Sequence, residues 1–179
     1  MADNFYTSYR EYMQSGDLVE FRSKSLLGSA IRKITGEDVN HSAVVLRIDE
    51  YKHIKDRVFL IEAMPMGVEL TAFSERLEGY DGEVYWYSLK ATQEQRDIVA
   101  SFVISLASRK RGDKRYDYFG FLKNIFGPTV IDTSTYFCSE VYHASLMVAG
   151  ILPARDICIR PGGFSKLGVH EVRHLIYKP

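Results

Sequence analysis

Cysteine is scarce in this sequence: the 179 residues contain only Cys138 and Cys158. A scaffold stapled by disulfides would need more cysteines in so long a chain, so we interpret the two as separate thiols. A domain of this size buries about 68–70% of its unfolded surface, and its core therefore requires neither disulfides nor a metal ion. The sequence also lacks the closely spaced cysteine pairs that are typical of zinc sites. We expect neither a bound metal nor a cofactor.

The sequence has no surplus of charge of one sign and no long apolar run. Lys+Arg and Asp+Glu both total 23, whereas nucleic acids and anionic membranes normally bind surfaces rich in Lys and Arg. No apolar stretch approaches the roughly 18 residues that suggest an integral membrane span. Residues 1–13 lack the basic and apolar regions of a secretory signal. We expect a cytoplasmic protein, or an exported one if a leader has been removed, without nucleic acid as a partner.

The chain contains no low-complexity linker and no internal repeat, which predicts a single domain over residues 1–179. β-Branched runs and turn signals predict strands at Asp17–Phe21, His41–Ile48, Val58–Ala63, Met66–Leu70, Glu83–Tyr87 and Leu175–Tyr177. Apolar stripes and capping signals predict helices at about Ser25–Thr35, Gln93–Ser108 and Cys138–Ala149. Because these elements do not alternate as regular βαβ units, we predict an α+β fold with a mainly antiparallel sheet packed against helices.

Cys138 is the first candidate for chemistry because it lies where a loop gives way to a predicted helix. A thiol in the first turn of a helix is close to unpaired backbone donors and the positive end of the helix dipole. Both features lower the pKa of a cysteine and favour its reactive thiolate. The alternative interpretation is a small, buried apolar residue, which is the commoner role of an arbitrary cysteine.

His41 and Glu62 are the candidate partners of this thiol. His41 begins an apolar strand, and the pKa of an unperturbed histidine suits proton transfer near neutral pH. Glu62 interrupts the apolar strand Phe59–Ala63, and an unpaired carboxylate is costly to bury. It would hold the His41 ring in the correct tautomer. Two alternatives stay open for Glu62: an ion pair with an arginine, and exposure on an edge strand.

Several short motifs, taken in order, resemble the permuted NlpC-type, papain-like cysteine hydrolases. They are Gly16-Asp17-Leu18-Val19, Asn40-His41-Ser42-Ala43-Val44-Val45, Ile61-Glu62-Ala63 with Gly67-Val68, Tyr116-Asp117-Tyr118 and Phe137-Cys138-Ser139-Glu140. The branch they resemble is the YiiX-like group, which is related more distantly to lecithin:retinol acyltransferase-like enzymes. The order histidine, acid, cysteine is that of the permuted branch. The resemblance spans roughly residues 16 to 150.

The resemblance implies a circularly permuted papain-like fold and an enzyme with Cys138 as nucleophile, His41 as base and Glu62 as orienting acid. It also implies that Tyr116 and Tyr118 line the substrate cleft; packing in the core is the alternative for both. The implied activity is hydrolysis of amide bonds in peptides or amino-acid conjugates, such as cell-wall peptides, through a thioacyl-enzyme. Two alternatives remain: a thiol acyltransferase or lipid esterase, and a binding module without turnover. Nothing in the sequence indicates the oligomeric state.

Overall fold

The strands that the sequence predicts form one antiparallel sheet. The computed structural model describes residues 3–48, 57–64, 67–108, 137–153 and 159–179. Within them the strands are β1 (Asp3–Asn4), β2 (Leu18–Ser23), β3 (His41–Arg47), β4 (Val58–Met64), β5 (Gly67–Ala72), β6 (Gly82–Tyr87) and β7 (His174–Lys178). Their order in the sheet is β1-β7-β6-β2-β3-β4-β5, and every neighbouring pair is antiparallel. The prediction of a mainly antiparallel sheet with helices is confirmed.

The helices of the described residues are α1 (Tyr6–Tyr9), α2 (Leu26–Thr35), α3 (Phe73–Leu77), α4 (Gln93–Ala107) and α5 (Phe137–Val148). The predicted capping box of α4 is present: the Thr92 hydroxyl accepts the Gln95 N–H at 3.2 Å, and the Gln95 side chain accepts the Thr92 N–H at 3.0 Å. Helix α5 stops before Gly150, whose φ of 67° is left-handed. No helix in the described part of the chain is long and apolar enough to cross a membrane.

The sheet separates two apolar cores because successive side chains of a strand point to opposite faces. In β2, Leu18 packs into the core that contains the apolar side chains of α4 and α5, whereas Val19 and Phe21 pack into the core on the other face. Helix α5 contributes the fully buried Val141 and Leu146 to the first core. Each such side chain stabilises the fold by about 1.5–3 kcal/mol. This packing fixes the first turn of α5, and with it Cys138, relative to the sheet.

Helix α2 forms where the sequence predicts it, but its apolar stripe faces solvent. The Ser25 hydroxyl caps the helix by accepting the Gly28 N–H at 3.0 Å, and Gly36 ends it with a φ of 72°. Leu26 is 92% exposed, and Leu27 and Ile34 are also exposed. The buried side of the helix carries Gly28, where an added Cβ would lie 2.9 Å from the Ser23 Cβ. Close approach of the helix backbone to β2, not apolar burial, therefore holds α2.

A buried ion pair joins the start of β2 to α4. The Asp17 Oδ1 atom lies 2.8 Å from Arg96 Nη1, and both residues are buried. The Asp17 carboxylate also accepts N–H groups from Trp86, Leu89 and Gln14 at 2.9 to 3.0 Å. Burial raises the pKa of Asp17, and Arg96 opposes this effect. Apart from the contact with Gln14, each of these contacts of Asp17 joins segments that are distant in sequence.

Asp17→Asn is expected to lower the free energy of unfolding by about 3–5 kcal/mol, because the Arg96 guanidinium would stay buried without its counter-charge. Urea unfolding measures this loss. The matched control is Asp81→Asn, since Asp81 pairs with Lys24 at 3.5 Å on the surface and such a pair contributes at most about 1 kcal/mol. Equal losses in the two variants would contradict the assignment of Asp17 as the anchor.

Candidate active site

The ladder between β3 and β4 stops before β3 reaches its first residue. The pairs between the two strands run from Arg47–Val58 to Val44–Ile61. On its other side, β3 continues to pair with β2 as far as His41, which lies opposite Phe21. Among the described residues, positions 41–43 therefore have a sheet neighbour on one side only. The side chains of His41 and Glu62 meet beside this break.

The turn before β3 fixes the position of His41. The side-chain oxygen of Asn40 accepts the Ser23 N–H at 2.8 Å and a hydrogen bond from Arg32 Nη1 at 3.3 Å. The Asn40 N–H donates to the Phe21 carbonyl at 2.9 Å. These contacts tie the residue before His41 to β2 and α2. The start of β3 is thereby held against both β2 and α2.

His41 and Glu62, which are candidates from different strands, are in direct contact. His41 Nε2 lies 2.7 Å from Glu62 Oε2, and the Glu62 side chain is only 2% exposed. Because a histidine ring has two nitrogens, this bond leaves Nδ1 for an interaction with Cys138, which raises the pKa of His41. The three candidate catalytic residues thus form one continuous chain of interacting groups.

Cys138 is the second residue of α5 and is 8% exposed. Besides His41, the backbone N–H groups of Ser42 and Ser139 lower the pKa of its thiol. The Ser139 N–H lies in the first turn of α5, where amides have no partner inside the helix. The sulfur is therefore surrounded by donors from a helix start and from a strand.

The Ser42 amide can reach the sulfur because of the ladder break. The Val45 N–H bonds the Asp17 carbonyl and the Ile48 N–H bonds the Arg57 carbonyl, each at 2.9 to 3.0 Å. Amides therefore alternate along β3, and those of even-numbered residues point away from β2. Ser42 is the first such residue beyond the last β3–β4 pair. Its N–H is outside the ladder and helps to lower the pKa of the thiol.

The electrostatics of the chain favour a thiolate next to an imidazolium. Burial raises the pKa of Cys138, but His41 and the two amides outweigh burial and lower the pKa. Burial lowers the pKa of His41, but Cys138 and Glu62 outweigh it and raise the pKa. Burial raises the pKa of Glu62, and His41 and Arg76 outweigh that effect in turn. In each group, the opposite charge of the neighbour favours the ionised form.

Sequence reasoning missed Arg76 as the second partner of Glu62. Arg76 Nε lies 3.0 Å from Glu62 Oε1 and 3.2 Å from Oε2. Of the possibilities left open for Glu62, an arginine pair and a histidine pair therefore both occur. The spacing of Phe73 and Leu77, both buried, is a signal for one helical turn, but it does not reveal where the Arg76 side chain goes.

The structure does not describe every predicted site residue. Tyr116, Tyr118 and Cys158 lie outside the described residues. Glu140 belongs to the same motif as Cys138, but two helical residues correspond to about 200°, which directs it to another side of α5. Burial raises the pKa of Glu140 to about 7. Any pH profile of Cys138 therefore needs Glu140 as a control.

Comparison with known proteins supports the fold. No protein-family model matches the chain, and no curated protein matches it. Among solved structures, the chain is similar to the crystal structure of the metalloprotein YiiX from Escherichia coli O157:H7, a DUF1105 protein. The TM-score is 0.52 and the sequence identity 19%, over 82% of this chain and 68% of that chain. At this identity the likeness shows a YiiX-like fold alone.

Removing the thiol is expected to lower the pKa of His41, because Cys138 is the largest of the influences that raise it. In Cys138→Ala the acid dissociation constant of His41 should increase by at least about tenfold, the effect of one opposite charge at this range. NMR titration of the imidazole resonances measures the change. The internal control is His170, which is buried 2.7 Å from the Tyr142 hydroxyl and should titrate alike in both proteins. An unchanged His41 titration would mean that the neighbouring thiol is not ionised.

Proposed function

We propose that this protein is a cysteine-dependent hydrolase that cleaves amide bonds in peptides or amino-acid conjugates through a thioacyl-enzyme. The observation that carries the proposal is the continuous chain Glu62–His41–Cys138, with 2.7 Å between Glu62 Oε2 and His41 Nε2. The permuted papain-like, NlpC-type fold is part of the same proposal. It is supported by the YiiX-like fold together with the order of His41, Glu62 and Cys138 in the sequence.

In the first half of the proposed reaction, the Cys138 thiolate attacks the carbonyl carbon of the amide and forms a carbon–sulfur bond. The carbonyl oxygen becomes an oxyanion, and the N–H groups of Ser42 and Ser139 next to the sulfur are the donors available to stabilise it. The His41 imidazolium gives its proton to the leaving nitrogen as the carbon–nitrogen bond breaks. The amine departs, and the acyl group remains on Cys138.

In the second half, neutral His41 removes a proton from a water molecule as the water oxygen attacks the thioacyl carbon. The carbon–sulfur bond breaks, the acid product leaves, and Cys138 and His41 return to the thiolate–imidazolium state. Glu62 accepts the Nε2 hydrogen bond throughout, which fixes the tautomer and stabilises the charged ring. A thiol acyltransferase would share the first half and use a different acceptor in the second.

These steps use side chains and backbone amides only. YiiX is a metalloprotein, whereas the described residues of this chain contain no group of three or more His, Cys, Asp or Glu placed to hold a metal ion. In the candidate site, His41 Nε2 and Glu62 Oε2 are bonded to each other, and Arg76 brings a positive charge to the same carboxylate. These residues do not fit a cation site.

Alkylation of the native protein tests the nucleophile directly. Limiting iodoacetamide is applied from pH 5 to pH 9, and peptide mass spectrometry reads Cys138 and Cys158 separately. Cys138 is expected to react well below the ordinary thiol pKa of about 8.5, and to lose this advantage in His41→Ala. Glu140→Gln should leave the profile unchanged. Ordinary thiol behaviour of Cys138 would favour a binding module instead.

The proposed roles of Cys138, His41 and Glu62 are tested by measuring hydrolysis of a panel of amino-acid and dipeptide amides with a chromogenic leaving amine. Cys138→Ala should abolish hydrolysis while circular dichroism shows an intact fold. His41→Ala should slow hydrolysis by about 10²–10⁴-fold, the usual contribution of an acid–base group. Glu62→Gln should slow it less, because Glu62 acts through His41. Undiminished turnover without the thiol would end the proposal, and a Glu62 effect as large as that of His41 would reverse the assigned roles.

A further inference from the structure

Four charged groups follow one another in the site with alternating sign. They are the thiolate of Cys138, the imidazolium of His41, the carboxylate of Glu62 and the guanidinium of Arg76. The last contact is made by one N–H, since Arg76 Nε lies within 3.2 Å of both Glu62 oxygens. Glu62 Oε2 is thereby shared between His41 and Arg76. A rotation of the carboxylate would disturb both its contact with His41 and its contact with Arg76.

The alternation matters because the Glu62 carboxylate at its centre is only 2% exposed. With Arg76 present, two negative groups face two positive groups. Without Arg76, His41 would be the one counter-charge that the described residues provide for both Glu62 and Cys138. A buried cluster with one excess negative charge takes up a proton more readily. Glu62 or Cys138 would then take up a proton at a higher pH than when Arg76 is present.

We propose that Arg76 is a positioning residue of this site, which keeps the Glu62 carboxylate ionised and oriented towards His41 and thereby sustains the thiolate of Cys138. The consequence for Cys138 rests on the proposed function. The action on Glu62 does not, and it can be measured separately.

Arg76 is itself held in a defined place. It lies in α3 between Phe73 and Leu77, both of which are buried. Its guanidinium carbon lies 4.5 Å from the centroid of the Phe21 ring and 5.2 Å from that of the Tyr80 ring, distances typical of cation–π contacts. The Phe21 ring also contacts the His41 ring, with centroids 5.6 Å apart. One aromatic side chain thus supports both cations that bracket Glu62.

The groups that could interfere with a titration are few among the described residues. Tyr80 faces Arg76, and burial raises its pKa to about 12, so it stays neutral through the range tested. Arg32 acts on Tyr80 from α2. The titrating groups that face Arg76 through the site are Glu62, His41 and Cys138. Glu140 on α5 requires the same control as above.

The first experiment measures the Glu62 carboxyl by carbon-13 NMR titration in the full-length protein. In Arg76→Gln the acid dissociation constant of Glu62 should fall by at least about tenfold, the effect of losing one opposite charge at this distance. Arg76→Lys retains the charge but not the planar N–H group, so the acid dissociation constant of Glu62 should fall less in this variant. The matched control is Arg22→Gln, because Arg22 pairs with Glu83 at 3.1 Å on the surface and makes no contact with Glu62. An identical Glu62 titration in wild type and Arg76→Gln would overturn the inference.

The second experiment measures alkylation of Cys138 against pH in the same variants. In Arg76→Gln the inflection should move to higher pH, with alkylation at pH 6 slowed by about tenfold, whereas Arg22→Gln should match wild type. If Arg76 acts through Glu62, the same substitution made in a Glu62→Gln background should shift the profile much less. Equal shifts in both backgrounds, or none in either, would refute a positioning role. An ordinary profile in wild type would instead refute the proposed function, and the Glu62 titration would still decide whether Arg76 keeps that carboxylate ionised.

Discussion

Glu62 brings a carboxylate to a strand that is otherwise buried and apolar, and the rest of the site depends on how that charge is kept. A buried, unpaired carboxylate would take up a proton. Two donors from different elements prevent this: His41 Nε2 at 2.7 Å from β3 and Arg76 Nε at 3.0 Å from α3. Because Glu62 stays ionised, it can stabilise a charged imidazole. That imidazole in turn lowers the pKa of Cys138.

A buried ion pair is not by itself the mark of such a site, as the pair Asp17–Arg96 shows. Asp17 accepts hydrogen bonds from Arg96, Trp86 and two backbone amides, and these contacts join β2, β6 and α4. None of these donors is a histidine or another usual general acid or base. Glu62 differs because one of its partners, His41, titrates and contacts a thiol. The proposed chemistry therefore follows from the presence of His41 and Cys138 beside Glu62, not from burial of a charge.

Sequence patterns predicted most of the regular structure because those patterns are local. β-Branched runs placed β3 and β4, and the Thr92–Gln95 capping box placed the start of α4, within one or two residues. The stripe of Leu26, Leu27 and Ile34 also predicted helix α2. The same stripe did not reveal that these side chains would be exposed, because that depends on which face of the helix the neighbouring strand β2 approaches. An amphipathic pattern predicts that a helix forms, but it does not predict which face of the helix packs against the sheet.

The candidate site likewise contains some residues that local sequence patterns reveal and others that they do not. Cys138, His41 and Glu62 were found because each breaks a local pattern: a thiol at a helix start, a histidine at a strand start and a carboxylate inside an apolar strand. Arg76 breaks no pattern, since a charged residue in a short helix is ordinary. The Ser42 amide has no side-chain signal at all, and its role follows only from the point where the β3–β4 ladder ends. Contacts that depend on register and on distant elements lie beyond what spacing in the sequence can show.

The opposite shifts in the pKa values of His41 and Cys138 also set the pH range over which the pair stabilises the fold. The raised pKa of His41 stabilises the folded state fully below the unfolded value of about 6.5, and this contribution decreases as pH rises above it. The lowered pKa of Cys138 stabilises fully above the unfolded value of about 8.5, and this contribution decreases as pH falls below it. Between the two values folding favours proton uptake by the imidazole and proton release by the thiol, so the two contributions change with pH in opposite directions. The pair therefore supports the fold best over the neutral range, the same range in which the proposed reaction requires a thiolate and an imidazolium.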